Sequence, residues 1–203
     1  MSKVGIAVLA SGHGTNFEAL VRSIRRGDTN GEIRVLIANV PDAPVLKRAE
    51  ADNIPAKLIP HREFKTREQF EQALIAELKH HDVGLVCLAG FMRILSPYFI
   101  REFPQRILNI HPALLPAFPG EEAQRQALEY GVKFSGCTVH IVDEGVDSGP
   151  IICQAVVPVL DDDTPETLAA RILKEEHRIY SEAICLLLED RVHIEGRRVR
   201  RNK

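Results

Sequence analysis

An amide and an imidazole two residues apart, Asn109 and His111, form the pair in this 203-residue chain best suited to hold a developing negative oxygen. They sit at the end of an apolar run, and side chains alternate along a strand, so both point to the same side. Two donors converging on one atom make an oxyanion site, which stabilises the tetrahedral intermediate of an acyl transfer. Pro112 and Pro116 follow directly and stiffen the exit from the strand. A carboxylate beside His111 would favour the protonated ring and fix its orientation. The turn-rich segment 143–150 offers Asp143, Glu144 and Asp147 for that task, and spacing alone does not choose among them.

A second chemistry is written into Ala10-Ser11-Gly12-His13-Gly14-Thr15-Asn16, where a first strand gives way to a first helix. Its two glycines allow a tight bend and close backbone approach, and the start of a helix attracts an anion such as phosphate. The three-glycine dinucleotide fingerprint and the lysine of a triphosphate loop are both missing from it, so a monophosphate fits better than NAD or ATP. Glu176 falls on the inward face marked by Leu168, Ile172, Ile179 and Ala183, where a buried acid needs either a structural partner or a ligand. Cys87, Cys137, Cys153 and Cys185 lie far apart in apolar runs and read as reduced core thiols, with no spacing that chelates a metal. His61, His80 and His81 lack comparable company and read as surface residues.

Positioning these groups is the task of an α/β fold. Strand-like runs at 4–10, 33–39, 56–59, 83–89 and 107–110 alternate with helical periodicity. This is the grammar of a Rossmann-like parallel sheet in the N-terminal half. Runs at 137–142 and 151–159 continue it as C-terminal strands, and Thr164-Pro165-Glu166 opens a long helix reaching about Glu189. Thr66 with Gln69 forms a capping pattern for an earlier helix. One domain over 1–195 and a solvated basic tail over 196–203 are expected. Loops 11–16, 90–95 and 109–120 all leave carboxyl ends of strands, where open α/β sheets bind ligands, and are expected to line one cleft. A net charge of −2 with 27% charged and 45% hydrophobic residues gives no reason to expect nucleic acid. No apolar stretch is long enough for a membrane helix, and the start of the chain does not read as a secretory signal, so a cytoplasmic protein is expected.

Four segments, 10–16, Ala89-Gly90-Phe91-Met92-Arg93-Ile94-Leu95-Ser96, Asn109-Ile110-His111-Pro112 and Gly145-Val146-Asp147-Ser148-Gly149-Pro150, occur in order at characteristic spacings. Together they resemble the folate-dependent glycinamide ribonucleotide formyltransferases of purine synthesis, over residues 3–195. The resemblance implies transfer of the formyl group of 10-formyltetrahydrofolate, a cosubstrate, to the amine of glycinamide ribonucleotide, with no metal, by a monomer or homodimer. It implies that Gly14, Thr15 and Asn16 grip the ribonucleotide phosphate and that Glu176 contacts the glycinamide. Met92, Arg93, Ile94 and Leu95 would line the pteridine pocket, and Arg67 and Asn109 would also contact the folate. Asn109 and His111 would act at the formyl carbon, with Asp147 as the loop acid. One departure is Glu121-Glu122 after Pro119-Gly120, where the family commonly carries an apolar residue and then a varied, often polar one. The effect of that loop on substrate affinity therefore does not follow from the resemblance.

Overall fold

Strand β1 (Val4–Ala10) is buried from Gly5 onward, as expected of a central strand in a parallel sheet covered on both faces. The structure is a computed structural model describing residues 3–202. Two compact units are present, one ending at Asn109 and the other beginning at Ile110.

In the first unit β1 is flanked by β2 (Gly31–Ala38) and β4 (Leu85–Leu88), with β3 (Ala56–Leu58) beyond β2 and the first part of β5 (Ile107–His111) beyond β4. Every pairing is parallel. Strand order reverses between β1 and β4, so the loops that follow these two strands flank the switch point where such sheets bind ligands. Helix α1 (Thr15–Arg26) buries Phe17, Leu20 and Val21, and α3 (Arg67–His80) buries Phe70, Leu74 and Leu78, the periodic faces anticipated from sequence. Thr66 caps α3 by accepting from the Gln69 N–H at 3.2 Å, while the Gln69 side chain accepts from the Lys65 N–H instead of completing the box. Two short helices were not anticipated, α2 (Pro44–Ala51) and α4 (Pro97–Glu102), because neither is long enough to show a clear period.

In the second unit β6 (Phe134–Ile141) pairs antiparallel with β7 (Ile151–Pro158). Thr138, buried in β6, donates to the Ala113 carbonyl at 2.6 Å and accepts from the Leu115 N–H at 3.1 Å. That hydroxyl fastens the segment after β5 to the strand. A further unanticipated helix, α5 (Ala123–Tyr130), precedes β6. Helix α6 (Pro165–Leu188) matches its expected start and ends within a residue of the expected stop. Beyond it, β8 (Val192–Glu195), still within the expected domain, pairs antiparallel with β9 (Arg198–Arg201), which falls in the stretch expected as a solvated tail. Arg201 pairs with Glu182 of α6 at 2.6 Å, so part of the basic charge is used to tie the hairpin down.

The start of α6 carries a reciprocal cap, in which Thr164 accepts from the Thr167 N–H and Thr167 accepts from the Thr164 N–H. Thr164→Ala should therefore lower unfolding free energy by about 1 kcal/mol. Urea denaturation checks this, and an unchanged midpoint would show that packing alone sets the helix start.

Candidate active site

Asp147 settles the choice among the three loop acids. Its Oδ2 lies 3.3 Å from His111 Nδ1 and accepts the Gly120 N–H at 2.8 Å. Asp143 is occupied within its own loop, accepting from the Gly145 N–H at 3.2 Å and the Ser148 hydroxyl at 2.6 Å. Two backbone features make the loop possible. Asp147 itself has φ 49°, a left-handed conformation that Asp and Asn tolerate better than most residues. At Gly149 a Cβ would come within 1.8 Å of the Ile141 carbonyl oxygen, so only glycine fits that approach.

His111 is almost fully buried, and its Nε2 lies 2.8 Å from the Phe118 carbonyl. Both ring nitrogens thus face acceptors, an arrangement that only the doubly protonated ring satisfies in full. The Phe118 ring packs edge-on against Tyr130 at 5.8 Å, which anchors the segment carrying that carbonyl. On the far oxygen of Asp147 stands a second histidine, His140 of β6, with Nε2 at 3.5 Å and Nδ1 turned to the Ile141 carbonyl at 3.0 Å. Burial acts to raise the Asp147 pKa, but the hydrogen bond from His140, the Gly120 N–H and the charges of both histidines outweigh it and hold the carboxyl below its ordinary range. His140 was missed from sequence because it lies inside an apolar strand run. Its position one alternation step from Ile141, on the strand leading into the acid loop, is the signal that was available.

In the first unit the loop after β1 and the loop after β4 are joined through Ser11. Its N–H donates to the Gly90 carbonyl at 3.0 Å, and its hydroxyl donates to Asn39 Oδ1 at 2.6 Å while accepting the Met92 N–H at 2.9 Å. Asn39 in turn contacts His61 Nδ1 at 3.1 Å, so His61 is part of this network and not the plain surface residue expected. Gly14 is the N-cap of α1, with φ 78°, and supplies no side chain to cap the first turn. A Cβ there would meet Val45 Cγ2 at 2.2 Å, so Gly14 is fixed by packing against α2 as well as by any ligand. Thr15 and Asn16 begin the helix, whose positive end faces the loop. Met92, Arg93 and Ile94 are exposed in the second loop, whereas Leu95 turns into the core. Arg67 opens α3 with its Nε 4.0 Å from Glu71. Asn109 lies in β5, in register with Leu88 at the start of that same loop.

Glu176 does lie on the buried face of α6, as its periodicity required. Burial first, and then the charge of Glu176, push the Cys137 thiol up to about 12, so that cysteine stays an inert core thiol. Among the described residues no cluster of three metal-ligating side chains occurs, and no helix is long and apolar enough to cross a membrane.

Comparison with known proteins bears on what this arrangement does. Residues 4–184 match the family model described as formyl transferase. A phosphoribosylglycinamide formyltransferase of Bacillus subtilis (strain 168) is 44% identical over 182 residues, covering 90% of this chain and 93% of that protein. The trifunctional purine biosynthetic protein adenosine-3 of Drosophila melanogaster is 47% identical over 185 residues, but the matched part is 90% of this chain and only 14% of that longer protein. A crystal structure of glycinamide ribonucleotide transformylase 1 from Symbiobacterium toebii superposes with a TM-score of 0.97 at 53% identity, covering 99% of this chain and 95% of that one.

The Asp147 environment predicts a titration. Because its folded-state pKa lies below the unfolded value of about 3.9, ionised Asp147 adds stability that is fully present above that pH and is lost as pH falls through the folded-state pKa. His140→Leu removes the hydrogen bond that lowers it and should move the Asp147 carboxyl titration, followed by carbon NMR, to higher pH. An unmoved titration would remove His140 from the set of groups that stabilise the anion.

Proposed function

The chain belongs to the formyl transferase family, and from that premise we infer that it formylates the amine of glycinamide ribonucleotide in purine synthesis. The formyl donor in this reading is 10-formyltetrahydrofolate, a cosubstrate that leaves as tetrahydrofolate. The single observation that carries it is His111 beside Asp147, two residues from Asn109 on one strand. That pairing supplies what acyl transfer demands, oxyanion donors and a carboxylate to orient one of them.

In the reaction the ribonucleotide amine attacks the formyl carbon, and its carbonyl oxygen takes on negative charge. Asn109 donates its amide N–H and His111 its Nε2–H to that oxygen. For His111 to do so, the Phe118 carbonyl that now accepts from Nε2 gives way to the substrate. Collapse of the intermediate breaks the bond from carbon to the folate N10. The amine loses one proton and N10 gains one, and a water relays it between them. Asp147 keeps the imidazolium oriented throughout and is not itself protonated.

Gly14, Thr15 and Asn16 hold the phosphate at the uncapped, positive start of α1. Glu176 serves the glycinamide end of the acceptor. Residues 92–95 and Arg67 receive the folate, and the fit is supported by Met92 and Ile94, which stand 63% and 59% exposed where the face of a flat heterocycle would cover them. Arg67 supplies a cation for the carboxylates at the other end of that molecule. The chemistry needs neither metal nor nucleic acid, and the enzyme acts in the cytoplasm as a monomer or homodimer.

Incubation with formylfolate tests the reading directly. Tetrahydrofolate release that depends on the ribonucleotide is expected. Release without the acceptor would mark a deformylase, and no release would mark a binding protein on the same scaffold. Asn109→Ala should lower kcat by roughly 10²–10³ with a smaller effect on KM. Near-normal turnover would take Asn109 out of the oxyanion site.

A further inference from the structure

Glu71 is a buried acid that none of the foregoing chemistry uses. It lies on α3 one turn after Arg67, and its side chain is 1% exposed. One oxygen accepts the Ser96 backbone N–H at 2.7 Å, and the other accepts the Ser96 hydroxyl. Arg67 Nε stands 4.0 Å from the first oxygen, on a side chain that is 51% exposed. Burying a carboxylate is costly unless donors surround it, and here both hydrogen bonds come from Ser96 at a single loop end while a single arginine supplies the nearby positive charge.

That geometry has a consequence for residues 92–95. At one end the Met92 N–H is held by the Ser11 hydroxyl at 2.9 Å. At the other end Ser96 is held twice by Glu71, and its hydroxyl also accepts from Phe99 N–H at 3.4 Å to start α4. Between the two clamps Met92 and Ile94 present apolar side chains outward, a conformation that hydrophobic burial would oppose were the ends free. Ser96 already caps α4 by itself, so capping does not call for a buried charge behind it. The charge does have a use if it must also draw an arginine toward the same loop.

We propose that Glu71 is a positioning residue for the formyl donor, fixing with one carboxylate both the end of the pterin-facing loop and the guanidinium of Arg67. The inference rests on the assignment of residues 92–95 and Arg67 to the donor site. Glu71 touches neither substrate and acts only through Ser96 and Arg67.

Steady-state kinetics of Glu71→Gln, which keeps the shape and removes the charge, tests it. The KM for 10-formyltetrahydrofolate should rise roughly ten-fold or more, the scale of losing a hydrogen bond to a charged group. The ribonucleotide KM and kcat should stay within about three-fold, a split that general destabilisation would not produce. Arg67→Ala should cost less donor affinity in the Glu71→Gln background than in wild type, because the arginine has already lost its anchor. An unchanged donor KM in folded Glu71→Gln, or a fully additive Arg67→Ala effect, would overturn the proposal. If Glu71→Gln does not fold, Ser96→Ala takes its place, with a smaller rise in donor KM expected and no rise counting against it. Failure of the proposed reaction shows separately, as no formylated ribonucleotide from wild-type enzyme, and failure of the donor-site assignment shows as an unchanged donor KM in Arg67→Ala itself.

Discussion

The carboxylate of Asp147 is the interaction on which the arrangement of the second unit's loops depends. An anion that is mostly withdrawn from water must be surrounded by donors, and here they come from three different segments: His111 at the end of β5, the Gly120 N–H after it, and His140 in β6. Meeting that requirement fixes all three segments against one point. It also explains the local backbone, because the acid reaches its place only through a left-handed turn at Asp147 and a glycine at 149 that lets the loop pass against the Ile141 carbonyl. Any change that leaves the anion short of a donor loosens the same segments that aim His111.

Ser11 has the corresponding role in the first unit. One residue donates and accepts enough hydrogen bonds to join the loop after β1 to the loop after β4, at the point where strand order reverses. A sheet of this topology opens a crevice at that reversal, and the serine fixes the shape of its rim. The two loops expected to hold the phosphate and the pterin ring are thus parts of one hydrogen-bonded frame, extended to Asn39 and His61.

Long periodic elements were legible in the sequence, and short or three-dimensional ones were not. Strand β1 and helix α6 carry runs of 7 and 24 residues, enough for burial pattern and caps to agree. Helices α2, α4 and α5 span only 6 to 8 residues, and their formation rests on neighbours instead of on a period. That Asn109 and His111 lie on one strand could be read from the apolar run they close. The identity of the acid beside His111 could not, since Asp143, Glu144 and Asp147 share one turn and only the fold shows that Asp143 is spent on Ser148. Hydrogen bonds across 22 or more residues brought His61, Glu71 and Ser96 into play, and no local pattern announces such contacts.

The central claim, that an ionised Asp147 sustains the catalytic His111, is tested most directly by turnover of Asp147→Asn at neutral pH with both substrates saturating. Asparagine keeps the size and suits the left-handed backbone at that position, so the substitution removes the charge and one of the two acceptor oxygens while leaving the backbone as it is. A fall in kcat of about 10²-fold or more is expected with both KM values close to wild type, beside a lowered melting temperature from the lost stabilisation by the ionised carboxylate. Turnover within a few-fold of wild type in the folded variant would contradict the account.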